Sequence, residues 1–312
     1  MPETIESDKV TVGYVIGTPY CGSTIMGMLM NTHPDIVSVG ETAVSRRMRR
    51  IGRTATYPCS CGNELQACPF WNEIVKQVRE TVSGFGFDCW SHVYTYDNRL
   101  ADAIFYGYSG RRPIRWMREV AHSALPPLRK KLSIAKVANE AFYRAALAVG
   151  DGKVFFDSDK SLFRLRYLLH HDALDMRPIV LTKDVRQYAA SGKRRGRPVA
   201  DCAREWAQHY RLAAHLLSRH GNGNYIHVRH EDFCQTMPQT VGTLCDYLGA
   251  RRVELSDRFS PRTQHVLGNK VRHSESLSIR SSTSWRESLD SREEAVALKE
   301  GEELMQQFGY QF

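Results

Sequence analysis

VTVGYVI (Val10 to Ile16) followed by GTPYCGST (Gly17 to Thr24) is the stretch that decides the fold. The first run is β-branched and short, the glycines mark a tight turn, and Ser23 to Met30 is helical in composition, so the order is strand, turn, helix. The two glycines have the spacing G-x-x-x-x-G-K-[ST] of a phosphate-cradling loop, with Ser23 where the Lys belongs. In a nucleoside-triphosphatase that Lys reaches the β and γ phosphates, and its loss removes charge where a triphosphate concentrates it. A smaller anionic group at the helix N-terminus suits the loop better. A glycine turn that binds nothing is the alternative from these residues alone.

Working outward, DIVSV (Asp35 to Val39), KVFF (Lys153 to Phe156), PIVL (Pro178 to Leu181) and YIHV (Tyr225 to Val228) are further short apolar runs, mostly separated by helical patterns. Strands alternating with helices predict a parallel sheet covered on both faces, a three-layer, P-loop-like α/β fold. From about Ser45 to Gly150 the strand signals vanish, whereas Trp71 to Val82 and Ile134 to Val149 look helical. Residues 1–312 therefore read as one domain with a helical insertion at about 45–150. RHSESLSIRSSTS (Arg272 to Ser284) reads as a loop, and a charged helix is expected near Ser291 to Gln307. No internal repeat is present.

The apolar fraction of 42% and charged fraction of 25% are those of a globular chain. Lys and Arg number 43 against 34 Asp and Glu, and the net charge of +9 favours anionic partners. No run reaches the ~18 to 20 apolar residues of a membrane span, and the acidic start MPETIESDKV lacks a signal core. A cytoplasmic protein is expected. Eight cysteines are too sparse for a disulfide scaffold and read mostly as buried thiols.

Other segments follow the loop in a telling order. The run GTPYCGSTIMGMLMNTHPDIVSVGE (Gly17 to Glu41) resembles the 5′-phosphosulfate loop of sulfotransferases that use 3′-phosphoadenosine 5′-phosphosulfate (PAPS), particularly bacterial and tyrosylprotein members. LTKDVRQYAAS (Leu181 to Ser191) resembles their 3′-phosphate segment, VRHEDF (Val228 to Phe233) their V-R-Y-E-D-L strand end, and LGNKVR (Leu267 to Arg272) their G-N-x-x-R element. Trp285 sits where many members carry a Trp. The resemblance departs at Tyr20, where members usually have a loop cation, at Lys183, usually Arg, and at His230, usually Tyr.

What the resemblance implies is a transferase moving a sulfonate from PAPS to a hydroxyl or amine and releasing 3′,5′-ADP, with no metal needed for chemistry. Pro19, Tyr20, Cys21, Gly22, Ser23 and Thr24 would hold the 5′-phosphosulfate. Lys183, Ser191, Arg195, Gly268, Asn269 and Arg272 would hold the 3′-phosphate side, combining cations with hydroxyl and amide donors as a dianion requires. Glu41 aligns with the base of tyrosylprotein sulfotransferases, and Lys160, in DSDK (Asp157 to Lys160), resembles a D-S-S-K element and would offset charge at the sulfonate. A capping Glu and a solvated Lys are the plainer readings of those two positions.

Cys59, Cys61 and Cys68 form a C-x-C…C group, similar to a segment of some bacterial members whose role does not transfer. Free thiols, a disulfide, or a structural zinc completed by Cys89 or His92 are all open, since C-x-C is not the usual C-x-x-C spacing. Arg46, Arg47, Arg49, Arg50 and Arg53, with Arg111, Arg112, Arg115 and Arg118, would either line an acceptor site or form solvated helix faces. The acceptor, whether small molecule, sugar, lipid or peptide, and the oligomeric state are not written in the sequence. Rival readings are a P-loop kinase-like transferase, a PAPS-binding protein without turnover, and a basic nucleic-acid binder, for which no recognition motif or aromatic interleaving is present.

Overall fold

Alternation along the strands builds the layers. In the computed structural model, which describes residues 9–42, 55–87, 104–105, 107–109, 111–279 and 285–311, β1 (Val10–Ile16) turns Val10, Val12, Tyr14 and Ile16 toward one apolar cluster and Val15 toward another. The same parity holds in β2 (Ile36–Gly40), β3 (Val154–Asp157) and β4 (Leu174–Thr182), where Val37, Val39, Phe155 and Val180 face one side and Ile36, Phe156, Ile179 and Leu181 the other. Buried apolar residues on both faces are what a parallel sheet covered by helices requires. With β5 (Ile226–Arg229) the order is β2-β3-β1-β4-β5, every pairing parallel.

On one face lie α1 (Ser23–Met30), α8 (His230–Gln235) and α9 (Met237–Leu248), supplying Met26, Leu29, Phe233, Val241 and Leu244. The other face carries α2 (Pro69–Thr81), α4 (Pro126–Gly150), α5 (Leu162–Leu168), α6 (Val185–Lys193) and α7 (Val199–His220). Phe155 is fully buried there, edge-on to Phe142 at 6.0 Å and tilted to Tyr143 at 4.7 Å. The charged stretch at the end forms α11 (Ser291–Gln307), started by a capping box in which Asp290 and Glu293 satisfy each other's backbone N–H groups. It packs on α7. The one-turn α10 (Trp285–Ser288) precedes it and buries Trp285, with the Arg186 guanidinium 4.5 Å over its ring.

The helical insertion lies between β2 and β3, which nevertheless pair directly. Of it the described residues form α2, α3 (Arg112–Ala124) and α4. The last begins at Pro126, well before the expected Ile134, because two prolines in a first turn lack only N–H groups that have no intrahelical acceptor. β4 likewise starts at Leu174 rather than Pro178, paired along its length with β1. In the polar segment after Arg272, Leu277–Ser278 pairs antiparallel with Arg258–Phe259 instead of remaining wholly irregular. No described helix is long and apolar enough to cross a membrane.

Candidate active site

Every strand of the sheet delivers a polar group just past its carboxyl end. The Gly17–Gly22 turn follows β1, Glu41 follows β2, Lys160 follows β3, Lys183 follows β4 and His230 follows β5. In a parallel sheet these ends share one edge, where ligands of open α/β folds sit. A cavity of ≈ 250 Å³ occupies that edge, lined among others by Tyr20, Gly22, Ser23, Glu41, Lys183 and His230.

The turn itself is shaped by backbone conformation. Gly22 has φ 98°, and a Cβ placed there would meet His230 Nδ1 at 2.5 Å, so only glycine fits between the loop and the end of β5. No side chain caps α1, which leaves the first N–H groups of the helix without intrahelical acceptors. Pro19 is exposed and Cys21 is fully buried behind the turn, so neither side chain lines the cavity. Tyr20 does, and the Arg195 guanidinium lies 3.8 Å over its ring. A cation thus stands beside the loop although the loop sequence contains none.

Glu41, which lines the cavity, is ion-paired with Lys160. Glu41 Oε1 is 2.7 Å from Lys160 Nζ and accepts a hydrogen bond from Thr24 Oγ1 at 3.0 Å, while Lys160 Nζ donates to Ser23 Oγ at 2.9 Å. Gly40, at φ 75°, makes room for this corner, since a Cβ there would lie 2.0 Å from Leu267 O. Glu41 is then held by its own N–H, which donates to Leu267 O at 3.1 Å. Gly268 packs behind, against Thr24 and Glu41.

Lys160 has φ 65°, a left-handed conformation that costs a non-glycine residue about 1 kcal/mol or more and persists only where neighbours impose it. Arg164 imposes it. Its guanidinium reaches Asp157 at 2.8 Å, Asp159 at 2.9 Å, the Asn139 amide oxygen at 2.6 Å and the Tyr143 hydroxyl at 3.0 Å, all buried. Asp157 also accepts from Tyr143 at 2.7 Å and from the Asp159 N–H at 2.9 Å. The sequence reading missed Arg164; the visible sign was an Arg one helical turn past a D-S-D-K strand end.

The cavity also has a cationic lining. Lys183, Ser191, Arg194 and Arg195 line it, and no described carboxylate lies within ion-pair distance of the three cations. Burial pushes the Lys183 ammonium below the ordinary lysine pKa, with Glu231 opposing. Arg194 Nη2 donates to Ser191 Oγ at 3.2 Å, and Arg195 Nη1 to Ser191 O at 2.5 Å, which gathers them on the last turn of α6. Arg194, adjacent to the expected Arg195, was not among the expected residues. His230 was quoted only as part of a pattern, yet it lines the cavity, and burial followed by the Lys183 charge holds its pKa down to about 3, so the ring is neutral near pH 7. Its Nδ1 has no partner among the described residues.

Asn269 lines the cavity, whereas Arg272 does not. Arg272 is buried, donates to Gly268 O and to Pro58 O at 3.1 Å, and lies 4.8 Å over the Tyr57 ring. It braces the 267–272 segment from behind. Of the arginines noted in the insertion, Arg46, Arg47, Arg49, Arg50 and Arg53 lie outside the described residues. Arg112 and Arg115 line a separate cavity of ≈ 330 Å³ with Arg211 and His215, and Arg118 is tied to the Ile104 and Gly107 carbonyls. Cys59, Cys61 and Cys68 come together, and Cys89 and His92 lie outside the described residues.

No family model and no curated protein matches the chain. Among solved structures it is similar to the sulfotransferase domain from the Synechococcus PCC 7002 olefin synthase, at 15% identity and a TM-score of 0.47, covering 100% of this chain and 98% of that one. The sulfotransferase domain from the curacin biosynthetic pathway aligns at 13% identity and a TM-score of 0.45, over 97% and 98% of the two chains. Retinol dehydratase, in complex with androsterone and inactive cofactor PAP, aligns at 14% identity and 0.34, over 93% and 86%.

Proposed function

We propose that the chain is a transferase that moves a sulfonate from PAPS to a hydroxyl or amine of an acceptor and releases 3′,5′-ADP. The observation that supports this reading is that one cavity gathers two sets of groups suited to anions. One is the uncapped N-terminus of α1 beside Glu41, which pairs with Lys160; the other is Lys183, Arg194 and Arg195 with Ser191, where no described carboxylate lies within ion-pair distance. PAPS carries two anionic groups, a 5′-phosphosulfate and a 3′-phosphate, one for each set. The sequence resemblance assigns the sets in the same sense.

In this reading the first N–H groups of α1, with Ser23 and Thr24, hold the 5′-phosphosulfate, and Lys183, Ser191 and the two arginines hold the 3′-phosphate. Glu41 takes the proton of the acceptor as its oxygen or nitrogen bonds to sulfur. The bond from sulfur to the bridging phosphate oxygen breaks, and its electron pair leaves with 3′,5′-ADP. Protonation of Glu41 removes the charge that Lys160 faces at 2.7 Å and frees the ammonium to stabilise the leaving oxygen. The serine in place of the P-loop lysine is what disfavours a triphosphate donor.

Calorimetry of 3′,5′-ADP against 5′-AMP and ATP, with and without Mg²⁺, tests the donor. Preference for 3′,5′-ADP without a metal requirement is expected; preference for ATP with Mg²⁺ would return the kinase-like reading. For the base, Glu41→Gln should bind 3′,5′-ADP normally and lose about 10²–10⁴-fold in turnover with whatever acceptor is found. Undiminished turnover would remove Glu41 from that role.

A further inference from the structure

We propose that Cys59, Cys61, Cys68 and His265 hold one structural zinc ion, which fastens the 264–272 segment to the insertion. The four side chains offer three sulfurs and one imidazole nitrogen, and these atoms all lie within 4.8 Å of one another. Zinc bound tetrahedrally, with sulfur at ~2.3 Å and nitrogen at ~2.0 Å, sets S···S near ~3.8 Å and S···N near ~3.5 Å. The corresponding separations are 3.7 Å between the Cys61 and Cys68 sulfurs, and 3.2 Å and 4.0 Å from His265 Nδ1 to Cys68 and Cys59.

The scaffold around the four is built to hold them. Cys59 and Cys61 sit on a turn closed by Cys59 N–H to Asn63 O at 2.8 Å and Gly62 N–H to Cys59 O at 3.1 Å, with Gly62 at φ 94°. This turn lets a C-x-C pair point two sulfurs at one spot. Cys68 is the N-cap of α2, where the helix dipole favours a thiolate. His265 comes from about two hundred residues away and is held by two further contacts. The Phe70 ring stacks on it at 4.6 Å, and its carbonyl accepts from Trp71 Nε1 at 3.1 Å. Cys59 and Cys68 are fully buried and the other two partly so, and four protein ligands leave no open coordination position. A closed Cys₃His set is a structural zinc site.

The consequence reaches the cavity. The residues just after His265 continue into Leu267, whose N–H donates to Val39 O at 2.8 Å and whose carbonyl receives the Glu41 N–H. Ser60, between the first two cysteines, donates to Gln264 O at 2.7 Å and accepts from the Val266 N–H at 2.8 Å. A metal at the four ligands therefore fixes the position of the strand-like segment against which Glu41 and Asn269 are set. The proposal does not depend on the donor, because metal content is read without nucleotide.

The test is metal analysis of the full chain, purified untagged under reducing conditions, followed by exchange with Co²⁺. One zinc per chain is expected, and the cobalt form should show thiolate-to-metal charge transfer with tetrahedral ligand-field bands. Cys68→Ser and His265→Ala should lose stoichiometric metal, whereas exposed His273→Asn should retain it. Should the alanine variant fail to fold, His265→Cys keeps four ligands and must restore one metal with an all-thiolate cobalt spectrum. A folded, reduced wild-type protein that neither contains zinc nor takes it up would overturn the proposal, as would a Cys61–Cys68 disulfide mapped in folded, metal-free protein.

Discussion

Two groups of cations stand at the same edge of the sheet, and their surroundings are opposite. Arg164 is enclosed, and Asp157, Asp159, Asn139 and Tyr143 use its donors. Lys183, Arg194 and Arg195 face open cavity with no carboxylate among the described residues at ion-pair distance. The first has its counter-ions built in; the second has none among the described residues and, in the proposed function, meets an anion from outside. Arg194 and Arg195 are exposed, so only Lys183, whose pKa burial pushes down, is held at some expense of stability.

The comparison breaks most visibly at Arg164. Arg164→Met leaves Asp157 and Asp159 buried without their cation, and removal of one partner from a buried ion network costs about 3–5 kcal/mol. Urea unfolding at pH 7 should register that loss, together with loosening of the Asp157–Lys160 turn. A loss near zero would mean that the network is hydrated and that the contrast between the two regions is false.

Lys183→Met should act in the other direction. The unliganded protein is expected to be as stable as wild type or more so, because a largely buried ammonium whose pKa is already pushed down is removed. Affinity for 3′,5′-ADP should fall by ~10- to 100-fold, the effect of about 1.5–3 kcal/mol for a hydrogen bond to a charged group. Paired unfolding and calorimetry on one preparation separate the two quantities. Destabilisation without loss of affinity would place Lys183 in the first class of cation instead of the second.

The strand at Val10 to Ile16, the glycine turn and the charged helix at Ser291 to Gln307 were legible because their signals are local: a β-branched run, paired glycines, a charged stretch. Glu41, Lys160 and Lys183 lie within three residues of strand ends, which the parallel sheet places on one edge, but the resemblance of their segments to a family is what singled them out. Arg164 and His265 were not legible. Their partners are brought by the fold, with Asn139 on the preceding long helix and the three cysteines about two hundred residues from His265. Proximity of that kind leaves no periodicity in the chain. Arg272 illustrates the reverse case, in which a motif position was legible but its side chain turns to carbonyls behind the segment instead of to the cavity.

Tyr20 sharpens the contrast at its smallest scale. The sequence reads as a loop that has exchanged a cation for a phenol, yet Arg195, just past α6, lies 3.8 Å over that ring, and the proposed function has it supply the charge with the ring positioning it. If so, the aromatic face matters and the hydroxyl does not. Tyr20→Phe should leave 3′,5′-ADP affinity unchanged, and Tyr20→Ala should weaken it by a few-fold, as expected for a partly exposed cation–π contact of about 0.5–1 kcal/mol. Tyr20→Arg is the discriminating variant. An arginine at 20 would face Arg195 across the same space, so it should bind no tighter than Tyr20→Ala despite the added charge. Tighter binding with Arg at 20 would show that the loop position itself, and not the stacked Arg195, is where the anion is met.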